Sequence, residues 1–261
     1  MQIKQYIIDP LKERIENTIG FFQFAAETLT ELFAFRKNTN IGFIVLVRQI
    51  LFTGFEALGI ISLVSLSITG LIIIQGNSII PGFSQSSLFN TIFVSGITRE
   101  LSCLLTAFII VARSGTAIST ELGNMSVNLE IESLVAMRIS PVSYLVVPRL
   151  VGVTVSMIIL TIYFNFVAIL GGYFFSIIIT HASFFDYLLS ILRNFTVADF
   201  ASTLLKSTLF GIIISVSASY QGLRVSYAST EVPQRTIKAV VQSLGLIIIV
   251  DIAVTILTYL G

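Results

Sequence analysis

Residues 57–76 read ALGIISLVSLSITGLIIIQG, twenty consecutive positions without a charged side chain, and the uncharged run continues to Thr98. A second uncharged run extends from Leu150 to Phe185. About 20 apolar residues in a helix cross the roughly 30 Å hydrocarbon layer of a bilayer. A soluble core of this size does not need such runs, so the two stretches predict an integral membrane protein.

The composition of the 261-residue chain indicates the same class. Hydrophobic residues make up 55%, charged residues 11%, and the mean hydropathy is +0.95, whereas soluble domains average about 45–50% apolar and about 25% charged residues. The net charge of +1 provides no overall basic field for nucleic acid. With one cysteine, Cys103, and one histidine, His181, the chain is expected to hold neither an internal disulfide nor a metal or cofactor.

Five apolar stretches are long enough to cross the bilayer as helices. They are residues 55–76, 89–112, 149–179, 197–219 and 237–260. We therefore predict an all-α integral membrane protein with a five-span domain over residues 55–261. Residues 1–54 are too often charged to span. Their apolar side chains recur every three or four positions from Leu11 to Phe33, which predicts an amphipathic helix, either in the membrane interface or packed on soluble protein.

The basic residues indicate how the spans are oriented. The connections at 77–88 and 180–196 lie on one side and contain only Arg193. Ten of the 15 basic residues lie in 1–54, 113–148 and 220–236 on the other side, and Arg149 and Lys238 lie at its span ends. Cytoplasmic connections carry the excess of Lys and Arg, so we expect a cytoplasmic N-terminus and an external C-terminus.

Three ionisable residues that fall well inside predicted spans share one depth: Arg99, Lys206 and Asp251. Each is about ten residues from the external end of its span, roughly 15 Å deep at a rise of 1.5 Å per residue. An isolated charge at that depth costs at least about 2.5 kcal/mol, so we expect Asp251 to pair with Lys206 or with Arg99. Such a pair either only stabilises the fold or belongs to a transport path.

Three further acidic residues lie in the predicted spans, one beside this layer and two near span ends. Glu100 follows Arg99, and neighbours on an α-helix point about 100° apart, so we expect the two to lie on different faces, one towards the bundle and the other towards a cavity or subunit seam. Glu56 and Asp199 are close to span ends. At those depths a charge reaches water, and we expect both to be solvated.

The connection 113–148 contains a second pattern. From Val127 to Ile139, apolar residues alternate with Glu130, Glu132 and Arg138, and Ser140-Pro141 follows. Since a residue before proline avoids the helical conformation, this pattern predicts a short cytoplasmic amphipathic helix at 126–139. The helix could lie on the membrane or dock a soluble partner.

Several motifs in this region and beyond it carry a family resemblance. They are REL at 99–101, ARSG at 112–115, TELGNM at 120–125, ESL at 132–134, Pro141 and YLVVPR at 144–149. Together they resemble the signature of the MlaE family, the permease subunits of lipid-transporting ABC systems. The resemblance covers nearly the whole chain, although Ser102-Cys103 replaces the Gly-Pro usual in the family and Ser226 to Pro233 replaces a more glycine-rich loop.

The resemblance implies a homodimer that works with a cytoplasmic ATPase, which binds ATP and Mg²⁺, and with a lipid-carrying MCE-type binding protein on the opposite face. It implies that the cytoplasmic helix contacts the ATPase through Glu130, Glu132, Leu134, Met137 and Arg138. It also implies a phospholipid cavity at the dimer interface, lined by Ile72, Gln75, Ile79, Ile80, Glu100 and Leu101.

The sequence itself supports a partner that supplies energy. It contains no G-x-x-x-x-G-K-[ST] motif and no Gly-Lys dipeptide, so the phosphate-binding P-loop is absent. It also has no nucleophile elbow or metal-ligand cluster typical of an enzyme. An ion-coupled secondary transporter that uses the buried charges and a non-transport membrane scaffold remain alternatives. A bacterial cytoplasmic membrane and a plastid inner envelope both fit as locations.

Overall fold

The computed structural model describes residues 18–32, 42–80, 82–83, 86–180, 183–226 and 228–260. All regular elements in these ranges are helical, which confirms the all-α prediction. The elements are α1 (18–32), α2 (Gly42–Gly54), α3 (Leu58–Ile79), α4 (Ser87–Thr91), α5 (Ser102–Ile110), α6 (Thr116–Val127), α7 (Glu130–Ala136), α8 (Val147–Thr180), α9 (Phe184–Asn194), α10 (Val197–Leu223) and α11 (Glu231–Leu260).

Five continuous helical stretches are long and apolar enough to cross a membrane, as predicted. They are Val47–Ile79, Leu88–Val127, Val142–Ile179, Val197–Leu223 and Glu231–Thr258. Most extend beyond the predicted spans on the side expected to be cytoplasmic. The reason is that a charge such as Arg113 ends an apolar run without ending the helix.

The N-terminal segment is described only in part. Over 18–32 it is helical, with Ile19 and Phe22 exposed and Phe21 buried against Tyr220 of α10. The predicted positions at 1–17 and 33–41 lie outside the described residues, as does His181. The placement of the N-terminal helix in the membrane interface stays a prediction.

Close helix packing surrounds α10, which lies between α8 and α6. A Cβ atom on Gly211 would stand 2.6 Å from the Thr154 Cα atom of α8, and one on Gly222 would stand 2.8 Å from the Ser119 carbonyl oxygen of α6. Small residues allow this backbone approach between helices in membranes. The α10 helix is therefore held at a fixed distance on two sides.

Short π-helical segments interrupt the spans. They cover Ile92–Leu101, Val111–Gly115 and Val142–Val146. Such segments are rare and frequently occur at functional sites. The segment Ile92–Leu101 contains both Arg99 and Glu100, which the sequence predicts to lie on different faces of the helix.

The connection at 113–148 differs from the prediction. The helix of the second span continues through α6 to Val127, so residues 113–127 are helical and only the part after them turns. The short helix α7 covers Glu130–Ala136 rather than 126–139. Leu129 and Arg138 on either side of it have φ angles of 60° and 59°. These left-handed residues separate α7 from its neighbours, and periodicity alone could not reveal them.

Candidate functional site

Lys206 of α10 is the centre of a buried polar cluster. Its side chain is fully buried, and its ammonium nitrogen lies 2.9 Å from the Asp251 Oδ1 atom of α11. The same nitrogen pairs with the Glu100 carboxylate and donates to the Thr255 hydroxyl at 2.7 Å. Thr255 in turn donates to Glu100 at 3.2 Å. Lys206 therefore connects the second, fourth and fifth spans.

Arg99 extends the cluster towards the start of α10. Its guanidinium lies 3.3 Å from Asp199 Oδ1 and 3.4 Å from Glu100 Oε1. The backbone N–H of Thr196 donates to the Asp199 carboxylate at 2.9 Å, and the backbone N–H of Asp199 donates to the Thr196 hydroxyl at 3.3 Å. This reciprocal arrangement is a capping box. The Asp199 carboxylate therefore stabilises both the helix start and the buried arginine.

The resulting chain of ion pairs runs through five residues: Asp199, Arg99, Glu100, Lys206 and Asp251. Two cations face three carboxylates, so the cluster carries one excess negative charge when all five are ionised. The Glu100 side chain is 25% exposed, against 0–12% for the other four. Glu100 is therefore the member that presents this charge to the surroundings.

The structure brings together all three residues of the predicted charge layer. Arg99 pairs with Asp199 and Glu100 and not with Asp251. Asp251 contacts Lys206, one of its two predicted partners. Arg99 is buried in the bundle and Glu100 is partly exposed, in line with the expectation of different faces, although the ends of the two long side chains meet at 3.4 Å.

The two charges near span ends differ from each other. The Glu56 side chain is 54% exposed, as expected, although it pairs with Arg113. Asp199 is only 7% exposed, so its expected solvation is wrong. The sequence signal for its true role is Thr196, which precedes it by three residues as an N-cap does.

The residues predicted for the lipid cavity form two groups. Gln75, Ile79 and Ile80 are exposed at the end of α3, and Ile72 is partly buried one turn earlier. Glu100 and Leu101 are partly exposed at the end of the π-helical segment. Their meeting in one cavity stays a prediction.

The helix α7, in the connection between the second and third spans, is strongly exposed. Val135 and Met137 are 58% and 62% exposed. Glu130, Glu132 and Arg138 are exposed as well, whereas Leu134 is partly buried against the core. Both exposed apolar side chains lie outside the membrane-length helices.

An ion pair joins α6, which leads to α7, with α8. The Arg149 guanidinium lies 2.9 Å from the Glu121 carboxylate, although Arg149 itself is only 4% exposed. Arg149 also donates to the Leu145 carbonyl at 2.8 Å. These contacts link α6, which leads to α7, with the start of α8.

At the opposite end of the bundle, α9 packs through Tyr187 and Ile191. Tyr187 contacts the rings of Phe89 and Tyr173, and burial raises the pKa of its hydroxyl. Among the described residues, no three His, Cys, Asp or Glu side chains are grouped as metal ligands. The described spans also hold the Glu56–Arg113 and Glu121–Arg149 pairs, and the five-residue cluster is the largest linked group of ion pairs among them.

Comparisons with known proteins give a consistent result. The sequence profile of the family described as Permease MlaE matches residues 46–257. A probable ABC transporter permease protein of Rickettsia typhi is 29% identical over 81% of this chain and 82% of its own length. One from Synechocystis is 35% identical over 63% of each chain. One from Pyropia yezoensis is 28% identical over 92% of this chain and 88% of its own. Relatives thus come from bacteria and from plastid genomes, which is consistent with both predicted locations.

Proposed function

The chain belongs to the MlaE permease family of ABC transporters, and from this premise we propose that it forms the membrane path of a lipid transporter driven by a separate ATPase. The observation that carries the proposal is the match of the family profile to residues 46–257. A permease of this kind is a transporter component, and we assign no catalytic residue to it.

The ATPase contact is proposed for α7. The exposed side chains of Val135 and Met137, next to Glu130, Glu132 and Arg138, provide an apolar centre with a charged rim, as in protein interfaces. Arg149 and Glu121 connect this region with the spans. Closure of an ATPase pair against two copies of α7 would move α6 and α8 as rigid bodies. ATP and Mg²⁺ are bound in the ATPase.

The lipid path is proposed at the interface of two copies. The uncharged α3 helix supplies an apolar wall through Ile72, Ile79 and Ile80, with Gln75 at its end, and Glu100 and Leu101 supply the floor. An MCE-type lipid-carrying protein would receive or deliver the lipid at the external face. A phospholipid fits this arrangement because its acyl chains match the apolar wall and its headgroup matches the polar floor.

Co-purification tests the ATPase contact. We expect a P-loop ATPase to be recovered with the full chain, and Val135→Asp in α7 to reduce its recovery and its lipid-dependent ATP hydrolysis. Val197→Asp is the matched control, since Val197 is 87% exposed at the opposite end of the bundle. Equal recovery with both variants would refute the contact.

A photoreactive lipid tests the path. Reactive side chains at Ile79 and Leu101 should form lipid adducts whose yield changes when the ATPase is trapped with ATP. Adducts at Ile249, an exposed position of α11, should not change. Adduct yields at both path positions that are insensitive to ATP would refute the path.

Family membership disfavours the two alternatives from the sequence. An ion-coupled secondary transporter would move lipid under an ion gradient without an ATPase. A membrane scaffold would keep its function when the cluster around Lys206 is neutralised. Transport assays with and without ATP separate all three possibilities.

A further inference from the structure

A cleft of about 240 Å³ lies between α8 and α10, on the wall of the bundle. Its lining shares no residue with the lipid path proposed around Ile79, Glu100 and Leu101. At its inner side it reaches Thr98, the residue before Arg99. The cleft is therefore a separate feature at the depth of the charge cluster.

The floor of the cleft is chemically apolar although it contains hydroxyl residues. The Thr161 hydroxyl donates to the Met157 carbonyl at 2.8 Å, and the Thr203 hydroxyl donates to the Asp199 carbonyl at 2.8 Å. The Ser207 hydroxyl donates to the carbonyl of Leu204 at 3.1 Å. Each donor is thus used by its own helix. Asn165 also lines the cleft; its amide N–H donates to the Thr98 carbonyl at 3.5 Å, and its Oδ1 atom is buried without a hydrogen-bond partner among the described residues. Apart from that oxygen, an occupant of the cleft meets mostly methyl and methylene groups.

The mouth of the cleft lies on the exposed surface of two membrane-length helices. Ile162, Phe166 and Phe200 line it and are 47%, 59% and 48% exposed. All three lie in helices long and apolar enough to span the bilayer. The medium outside the mouth is therefore hydrocarbon rather than water. The molecules that supply hydrocarbon there are membrane lipids.

The dimensions of the cleft correspond to one chain. From Phe200 to Ser207 it extends along α10 for seven residues, roughly 10 Å at a rise of 1.5 Å each. A volume of about 240 Å³ corresponds to roughly eight water-sized groups of 30 Å³, and a methylene group is of similar size. The cleft is thus elongated along the helices, as a lipid tail is.

We propose that this cleft binds a single acyl chain of a membrane phospholipid, from the leaflet next to α9, at a site distinct from the transport path. The inference does not depend on the ATPase, the binding protein or the direction of transport. A chain at this site packs beside Thr98 and Thr203, the neighbours of the Arg99 and Asp199 pair.

The absence of tryptophan from the sequence makes a direct test possible. Phe166→Trp places a single fluorophore at the mouth of the cleft, and Ile249→Trp places one at an exposed position of α11 as a control. The full chain in detergent micelles is titrated with a phospholipid that carries brominated acyl chains, which quench tryptophan on contact. We expect quenching at position 166 to saturate at a mole fraction several-fold below that needed at position 249.

Two further variants separate the chemistry from the shape. Thr161→Val keeps the volume and should leave the saturation unchanged, since its hydroxyl is satisfied by α8. Ser207→Leu fills the floor and should return position 166 to the behaviour of the control. Quenching in proportion to brominated lipid at both tryptophans would overturn the proposal, since the cleft would then be only solvated by bulk lipid. The absence of quenching at 166 would also overturn it, since another protein surface would then cover the cleft.

Discussion

Removal of the Lys206 charge should cost far more stability than removal of the Asp251 charge, although the two residues form one ion pair. With all groups ionised, the five-residue cluster has a net charge of −1. Lys206→Met changes this to −2 and leaves the Glu100 and Asp251 carboxylates without their shared cation. Asp251→Asn changes it to 0 and leaves an amide oxygen that accepts from Lys206.

The expected magnitudes follow from the burial of these groups. Breaking a buried pair by removing one partner costs about 3–5 kcal/mol, because the remaining charge is uncompensated. In a chain of this size each kcal/mol shifts the Tm by about 2–4 °C, so Lys206→Met should lower the Tm by about 6–20 °C. The Asn variant loses one ion-pair contact of Lys206 but also the excess charge, and should cost less than about 1.5 kcal/mol.

Thermal unfolding of the full chain in detergent, followed by far-ultraviolet circular dichroism, measures both variants. The double variant Lys206→Met with Asp251→Asn returns the net charge to −1 and should melt between the two single variants, which gives the coupling energy of the pair. If the Asp251→Asn variant melts at or below the temperature of Lys206→Met, the net charge of the cluster does not decide the stability of the variants, and the reasoning is refuted.

The other predictions concern packing, hydrogen bonding and the role of the ion pair. Gly211→Ala should destabilise by about 1–3 kcal/mol, because its Cβ would press on the α8 backbone; Gly245→Ala, whose Cβ meets open space, should stabilise by up to about 1 kcal/mol. Comparable Tm changes in the two would contradict the packing of α10. Tyr187→Phe should be neutral or stabilising, since its buried hydroxyl has no partner among the described residues. Tyr163→Phe breaks a 2.6 Å hydrogen bond to Ser62 and should cost about 0.5–1.5 kcal/mol; equal effects in unfolding scans would argue against this assignment. Exchange of Lys206 and Asp251 should restore the Tm lost in Lys206→Asp. Transport by the exchanged chain would show that pairing alone is the role, and failure to transport would show that the positions matter.

The sequence was sufficient for features that depend on position along the membrane normal. Uncharged runs predicted five spans, and equal distances from span ends predicted that Lys206 and Asp251 share a depth. Rotation around the helix axis was harder to predict. Arg99 and Glu100 meet through the ends of two long side chains at 3.4 Å, and apolar periodicity carries no mark of such a contact.

The cytoplasmic region shows a related limit. The end of the apolar run at Arg113 suggested a loop, but the helix continues to Val127 because helix propensity does not stop at the membrane surface. The boundaries of α7 depend on left-handed backbone at Leu129 and Arg138, residue types that rarely adopt it. The depth of Asp199 predicts a solvated side chain. Its burial depends on an ion pair with Arg99, which is 100 residues distant in sequence.

The π-helical segment Ile92–Leu101 has a consequence for how the protein can change in evolution. A π turn contains one residue more than the α turn it replaces. Deletion of one residue between Ile92 and Thr98 would let a π turn close as an ordinary α turn, with the residues on either side close to their present orientation. The same deletion in an α-helical part of the span would rotate the residues beyond it by about 100°. The π-helical segment is therefore the place where this span can lose a residue without turning Arg99 and Glu100 away from Asp199 and Lys206.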